Sequence, residues 1–201
     1  MTQKTFVLLA WILVLVMILI AVCLVSLSLG SVNIPLGRIV EVISRGIVSI
    51  ESTIIFDIRL PRILLGFAVG SSLGLSGVIL QGMFRNPLVE PYTLGISGGA
   101  ALGVCLNIVL GVNKIGGDLS LPLFGFIGAL GVILMVYFLS ARKTFRIQGL
   151  LLTGVMISFI ASSLIMLIMA VSRTEELRGI IFWIMGSLEE TNWFLIKTMV
   201  T

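Results

Sequence analysis

No ionised residue interrupts Phe6 to Leu29, Ile63 to Phe84, Pro91 to Asn113, Leu119 to Ala141 or Ile147 to Ser172. Each run matches the roughly 20 apolar residues that carry a helix across a hydrocarbon layer about 30 Å thick. A single water-soluble core of this size has no room for that much apolar surface. Only 11% of the 201 residues are charged and 58% are hydrophobic, whereas about a quarter of a soluble chain is charged. The sequence therefore predicts an all-α, polytopic transmembrane helix bundle with five full spans. A sixth span is expected to begin near Trp193, where too few apolar residues precede Thr201 to cross.

Lys4 stands ahead of the first run and gives it the look of a secretory signal. Its apolar length of about 24 residues exceeds the roughly 7 to 15 of a signal core, so it reads as a retained anchor. Cys23 and Cys105 both fall inside apolar runs and read as packing residues. The formal charge of +4 is scattered between spans, which is no footprint of nucleic-acid binding. Counting Lys and Arg over the loops does not favour an inside N-terminus. The compact cluster Arg142, Lys143 and Arg146 is the best local argument for an inside loop.

Between the runs, Asn33 to Arg45 has Pro35 near a helix start and apolar Leu36, Ile39, Val40 and Ile43 at helical spacing. These predict a short helix at the membrane interface. Gly66, Gly70 and Gly74, with Gly77, give the second span a smooth side, and Gly95, Gly99 and Gly103 repeat the device in the third. Such stripes let helix backbones approach closely in lipid. Pro87 and Pro91 disfavour helix at Asn86 and Glu90, so the chain must turn there, with Asn86 able to cap the freed backbone. Ser172 to Glu175 has the spacing of a capping box ahead of a short helix, Leu177 to Leu188, whose Trp183 suits an interface.

The chain has no histidine, which removes histidine-based zinc sites, Ser-His-Asp triads and histidine proton relays. It has no Gly-Lys-Ser/Thr phosphate loop, so ATP hydrolysis is not expected of it. No enzyme activity, cofactor or metal site is predicted. All nine acids fall between the apolar runs, which argues against a proton- or sodium-coupled carrier.

Arg59-Leu-Pro-Arg62, Gly70, Ser76-Gly77, Gln81, Asn86-Pro87-Leu88, Glu90-Pro91 and Gly95-Ile-Ser97 closely resemble the iron-siderophore, haem and vitamin B12 permease family of ABC importers. Gly149-Leu-Leu-Leu-Thr-Gly154 and Trp183 to Leu188 look like the family's fifth span and the segment after it. The resemblance covers nearly the whole chain and implies one transmembrane permease domain, 1–201, truncated at the C-terminus relative to the family. It also implies a multi-pass protein of the bacterial inner membrane, forming part of a translocation path for an iron-siderophore, haem or cobalamin. The implied partners are a second permease, identical or not, two ATP-binding cassette subunits, an extracytoplasmic substrate-binding protein and the lipid bilayer, with no nucleic acid.

By the same resemblance, Arg59 and Arg62 sit at the outer mouth and receive acidic residues of the binding protein. Asn86, Pro87, Leu88, Glu90 and Pro91 form the cytoplasmic gate loop, and Ser158, Ser162 and Ser163 are expected along the path. Helical spacing does not put those three serines on one side, and each is able to bond its own helix. The rival expectation is a partial permease that inserts and packs without transporting.

Overall fold

The computed structural model describes residues 3–141, 147–188 and 193. Its helices are α1 (Gln3–Ser28), α2 (Leu36–Arg45), α3 (Ile50–Thr53), α4 (Leu60–Phe84), α5 (Ile96–Val109), α6 (Ser120–Ala141), α7 (Ile147–Val171) and α8 (Thr174–Met185). A π-helical segment, Ile54–Arg59, joins α3 to α4, and short 3-10 turns cover Pro91–Leu94 and Val112–Lys114. No strand occurs among the described residues. The Arg142, Lys143 and Arg146 cluster, and the chain after Trp193 where a sixth span was expected, lie outside them.

Among the described residues, four helices are long and apolar enough to cross a membrane: Gln3–Ser28, Ile50–Phe84, Ser120–Ser140 and Gly149–Val171. The expected second span is therefore part of one 35-residue helix, about 52 Å long at 1.5 Å per residue. Hydrogen bonding carries this helix well before the apolar run at Ile63, and Glu51, Asp57, Arg59 and Arg62 ride on that extension. These acids thus lie within a helix rather than in a connector. The expected third span is shorter than its uncharged run. Gly95 takes a left-handed conformation at φ +80°, leaving α5 only 14 residues, or about 21 Å.

The residues form two compact units, one reaching to Val69 and including Leu188, the other Gly70–Ser187. In the first, Ile34, Ile39, Val42 and Ile55 make a small core, with Leu27 and Ile54 packed on it. Pro35 precedes α2, and Gly46 ends it at φ +60°. Ile39 and Val42 face inward, whereas Leu36, Val40 and Ile43 are exposed. Spacings of four and three place those exposed residues on one stripe. Arg38, Glu41 and Arg45 occupy the opposite side, as an interfacial helix requires. Arg38 pairs with Glu51 at 2.6 Å and Glu41 at 2.8 Å, which ties α2 to α3. The hydrogen bond to Glu51, then that to Glu41, raises its pKa from an already high value.

In the second unit α5 packs against α6, α7 and α8. Val104, Cys105, Ile108, Ile165 and Ile180 form its core. Lipid tails are as apolar as these side chains, so close packing and polar links must hold such a bundle together. Asn107 is fully buried, and its amide nitrogen donates to the Ser120 carbonyl at 3.2 Å, joining α5 to the start of α6. The cap on α8 is shifted by one residue from its expected register. The Arg173 N–H donates to Glu176 at 3.0 Å, while the Ser172 hydroxyl donates back to Ile168. The helix begins at Thr174 and stops at Gly186, φ +75°.

Candidate functional site

Arg59 ends the π segment and is 9% exposed. Its guanidinium donates to the Leu27 carbonyl, in the last turn of α1, and to the Val32 carbonyl in the loop that follows. That loop is closed by Ser28, whose carbonyl accepts from the Ile34 N–H and whose hydroxyl donates to the Ile34 carbonyl. Helix ends leave carbonyls unpaired, and a cation there also complements the helix dipole. Gly30 makes the space: a Cβ on it would lie 2.7 Å from the guanidinium. Arg59 is thus committed to backbone inside this unit. Arg62 is exposed and lines a cleft of about 720 Å³ with, among others, Val22, Ser26, Ile58 and Phe67.

The loop from Arg85 to Leu94 is built by local hydrogen bonds. The Asn86 N–H donates to Gln81, closing α4, and Arg85 takes a left-handed φ of 48°. The Asn86 side-chain oxygen accepts from the Leu88 N–H at 3.0 Å, the capping role its type suggests. Val89 folds inward, while Pro87, Leu88 and Glu90 are exposed and Pro91 is half-buried. The Glu90 carbonyl then accepts from both the N–H and the hydroxyl of Thr93, opening the 3-10 turn.

That turn rests on α7. A Cβ on Gly154 would meet the Thr93 carbonyl at 2.7 Å, and one on Gly95 would meet the Gly154 carbonyl at 2.9 Å. Further along α5, a Cβ on Gly99 would lie 2.6 Å from the Gly128 carbonyl, and one on Gly103 would run into that of Phe124. The Gly95, Gly99 and Gly103 stripe therefore meets backbone. The same pattern in α4 does not: Gly70, Gly74 and Gly77 have nothing within 4 Å among the described residues, and Gly66 meets only Leu188.

The serines separate. Ser158 packs toward Gly95 and Gly98 and donates to the Gly154 carbonyl, whereas Ser163 is exposed and donates to that of Phe159. Ser162 is exposed on the turn after Ser158. Sequence reasoning missed Gly128 and quoted Gly154 only within the Gly149 to Gly154 motif, not as a partner of the α5 stripe. The three-residue spacing of Gly125, Gly128 and Gly131 was the available signal for Gly128. The buried destination of Arg59 had no comparable signal.

Apolar helices of crossing length, glycine contacts between backbones and a proline-bounded loop define a polytopic helical membrane protein. Residues 13–201 match the FecCD transport family, and the chain belongs to it. It is 37% identical over 186 residues to the molybdate import system permease protein MolB of Haemophilus influenzae, covering 89% of this chain and 54% of that protein. It is 35% identical to the vitamin B12 import system permease protein BtuC of Klebsiella pneumoniae, covering 94% and 55%. It is 38% identical to the hemin transport system permease protein HmuU of Yersinia pestis, covering 68% and 42%. A solved metal-chelate type ABC transporter in an inward-facing conformation superimposes with a TM-score of 0.71 at 35% identity, over 91% of this chain and 55% of that one. The chain spans about half the length of the curated relatives it matches. Its family and its crossing helices make it a multi-pass protein of the cell membrane.

Proposed function

We propose that this chain contributes a permease subunit, or its N-terminal part, to an ABC importer, with ATP hydrolysis on a separate subunit. The observation that carries the reading is the match over residues 13–201. The relatives' names differ in cargo: molybdate, vitamin B12 and hemin. What these share is a metal-centred small molecule, and that is the cargo class proposed here, with iron-siderophores among its members. The remaining parts of the assembly are a second permease, ATP-binding cassette subunits and an extracytoplasmic binding protein. Five crossings are proposed, with α5 and its flanking 3-10 turns making the third.

Within this reading, Arg62 takes the docking role. Its exposure supports that assignment, while Arg59 positions the mouth from behind by holding α1. The loop of Asn86, Pro87, Leu88, Glu90 and Pro91 is the gate, seated on α7 through Gly154. Ser158 is taken up by that contact, which leaves the exposed Ser162 and Ser163 as the serines available to the path. The open α4 stripe, Gly70, Gly74 and Gly77, is reserved for a helix of the assembled permease.

Coexpression with a binding protein and ATPase, followed by uptake of labelled molybdate, haem, cobalamin and a ferric siderophore, tests the proposal. Uptake of one metal-centred cargo above cells lacking the chain is expected. Stable insertion with no uptake of any would sink it and favour the non-transporting partial permease.

A further inference from the structure

We propose that the cleft between α1 and α4 binds one anionic phospholipid, with the phosphate held at Arg62 and an acyl chain lying between the two helices. The cleft, of about 720 Å³, falls within the usual size of small-molecule pockets, roughly 300 to 1,000 Å³. Every described residue of its lining belongs to the first compact unit, so its form depends on that unit alone.

Its walls are two helical stripes. Leu19, Val22, Cys23 and Ser26 face it from α1 at spacings of three and four, and Ile63, Gly66 and Phe67 face it from α4. The loop from Leu29 to Val32 closes one end, where the Val32 carbonyl accepts from Arg59. From Leu19 to Leu29 the α1 wall is about 15 Å long at 1.5 Å per residue. That is half of a hydrocarbon layer about 30 Å thick, so the cleft has the depth of one leaflet. α1 has no buried residue, and no described part of the chain covers its wall.

Polarity changes along this depth. Leu19, Val22, Ile63 and Phe67 make the inner part apolar, while Ser31, Arg59 and Arg62 line the part toward the loop. An empty apolar slot forfeits dispersion contacts, and within a bilayer the molecules at hand to fill it are lipid chains. A chain lying one leaflet deep brings its phosphate to the polar end. There Arg62 is exposed, and a guanidinium makes paired, charge-assisted hydrogen bonds to phosphate oxygens. Its five donors allow it to hold a phosphate beside another acceptor. Arg59 engages backbone carbonyls, yet a guanidinium stays charged, so it adds positive potential behind the site. No carboxylate is among the described lining residues. Two cations without such an acid favour a lipid of net negative charge and repel a choline ammonium, which is the physical basis of discrimination. Arg62 is also the residue assigned to docking, but lipid binding is read on this chain alone, so the two assignments fail separately.

Native mass spectrometry of the delipidated full chain tests the site. It is titrated with phosphatidylglycerol and phosphatidylcholine of identical acyl chains, and separately with soluble glycerol phosphate. At least tenfold tighter binding of the anionic lipid is expected. Arg62→Met should erase most of that preference and Arg62→Lys should keep part of it, whereas Val22→Trp, which fills the cleft, should weaken both lipids alike. Should Arg62→Met fail to insert, Val22→Trp on the exposed face of α1 carries the test. Equal binding of the two lipids, a preference untouched by Arg62→Met, or binding untouched by Val22→Trp overturns the site. Displacement of the lipid by glycerol phosphate at equal concentration overturns its assignment to a lipid. Cross-linking of Val22→Cys to a second copy of the chain in phosphatidylglycerol vesicles gives the cleft to that copy and overturns the proposal.

Discussion

At the scale of single residues, the two arginines of Arg59-Leu-Pro-Arg62 have opposite fates. Charge-counting treats both as water-seeking, yet a guanidinium carries five donors in a planar fork, and unpaired carbonyls at a helix end attract it strongly. Arg59→Met should therefore cost about 2 kcal/mol, the worth of hydrogen bonds to a charged group. Thermal unfolding in detergent should show the lowered midpoint, with Arg59→Lys recovering part of it. Arg62→Glu should abolish association with the binding protein in a pull-down. Unchanged association would remove Arg62 from the docking surface. Glycines divide in the same way. Gly99→Ala should destabilise by about 1 to 3 kcal/mol through overpacking, because its methyl would meet both the Gly128 carbonyl and the Val132 side chain. Gly74→Ala, with nothing within 4 Å among the described residues, should leave the isolated chain's stability almost unchanged.

At the scale of elements, hydropathy located helices better than it measured them. The ends of α1, α4, α6 and α7 follow their uncharged runs closely because a bilayer-length apolar segment has few alternatives to helix. Two boundaries escaped. The helix from Ile50 outruns its apolar part, since main-chain bonding continues through charged turns. α5 falls short of its run because the positive φ of Gly95 leaves no trace in a hydropathy count. The site was legible to a similar depth. Asn86 showed its capping role through residue type, whereas the partners of the α5 glycines depend on which backbone lies opposite, and a stripe does not say. The π segment was invisible to every periodicity used. A π turn holds one residue more than the α-helix around it, so the extra residue is taken up in the turn and the faces on either side stay in register. Deleting Phe56 should therefore relax the segment toward α-helix and lower the unfolding midpoint less than Arg59→Met does.

At the scale of the whole molecule, the proposed function requires that movement reach the loop assigned as the gate. The 3-10 turn after Glu90 is pressed against Gly154 of α7, so displacement of α7 is transmitted to the loop with little slack. Gly154→Ala should accordingly uncouple transport from assembly. Uptake should fall at least tenfold in the reconstituted system while the subunits still copurify; retained uptake would show that this contact is not part of the moving path. The contact between α5 and α6 carries a different kind of consequence. Where a bulky side chain overfills a core, a later change can trim its neighbour and restore the fit. Gly99 and Gly128 face each other as bare backbone, so neither can shrink to forgive a change in the other. Within this pair mutation offers no compensating route, and relief for a methyl added at 99 has to come from outside it, as from the Val132 side chain that also crowds the position.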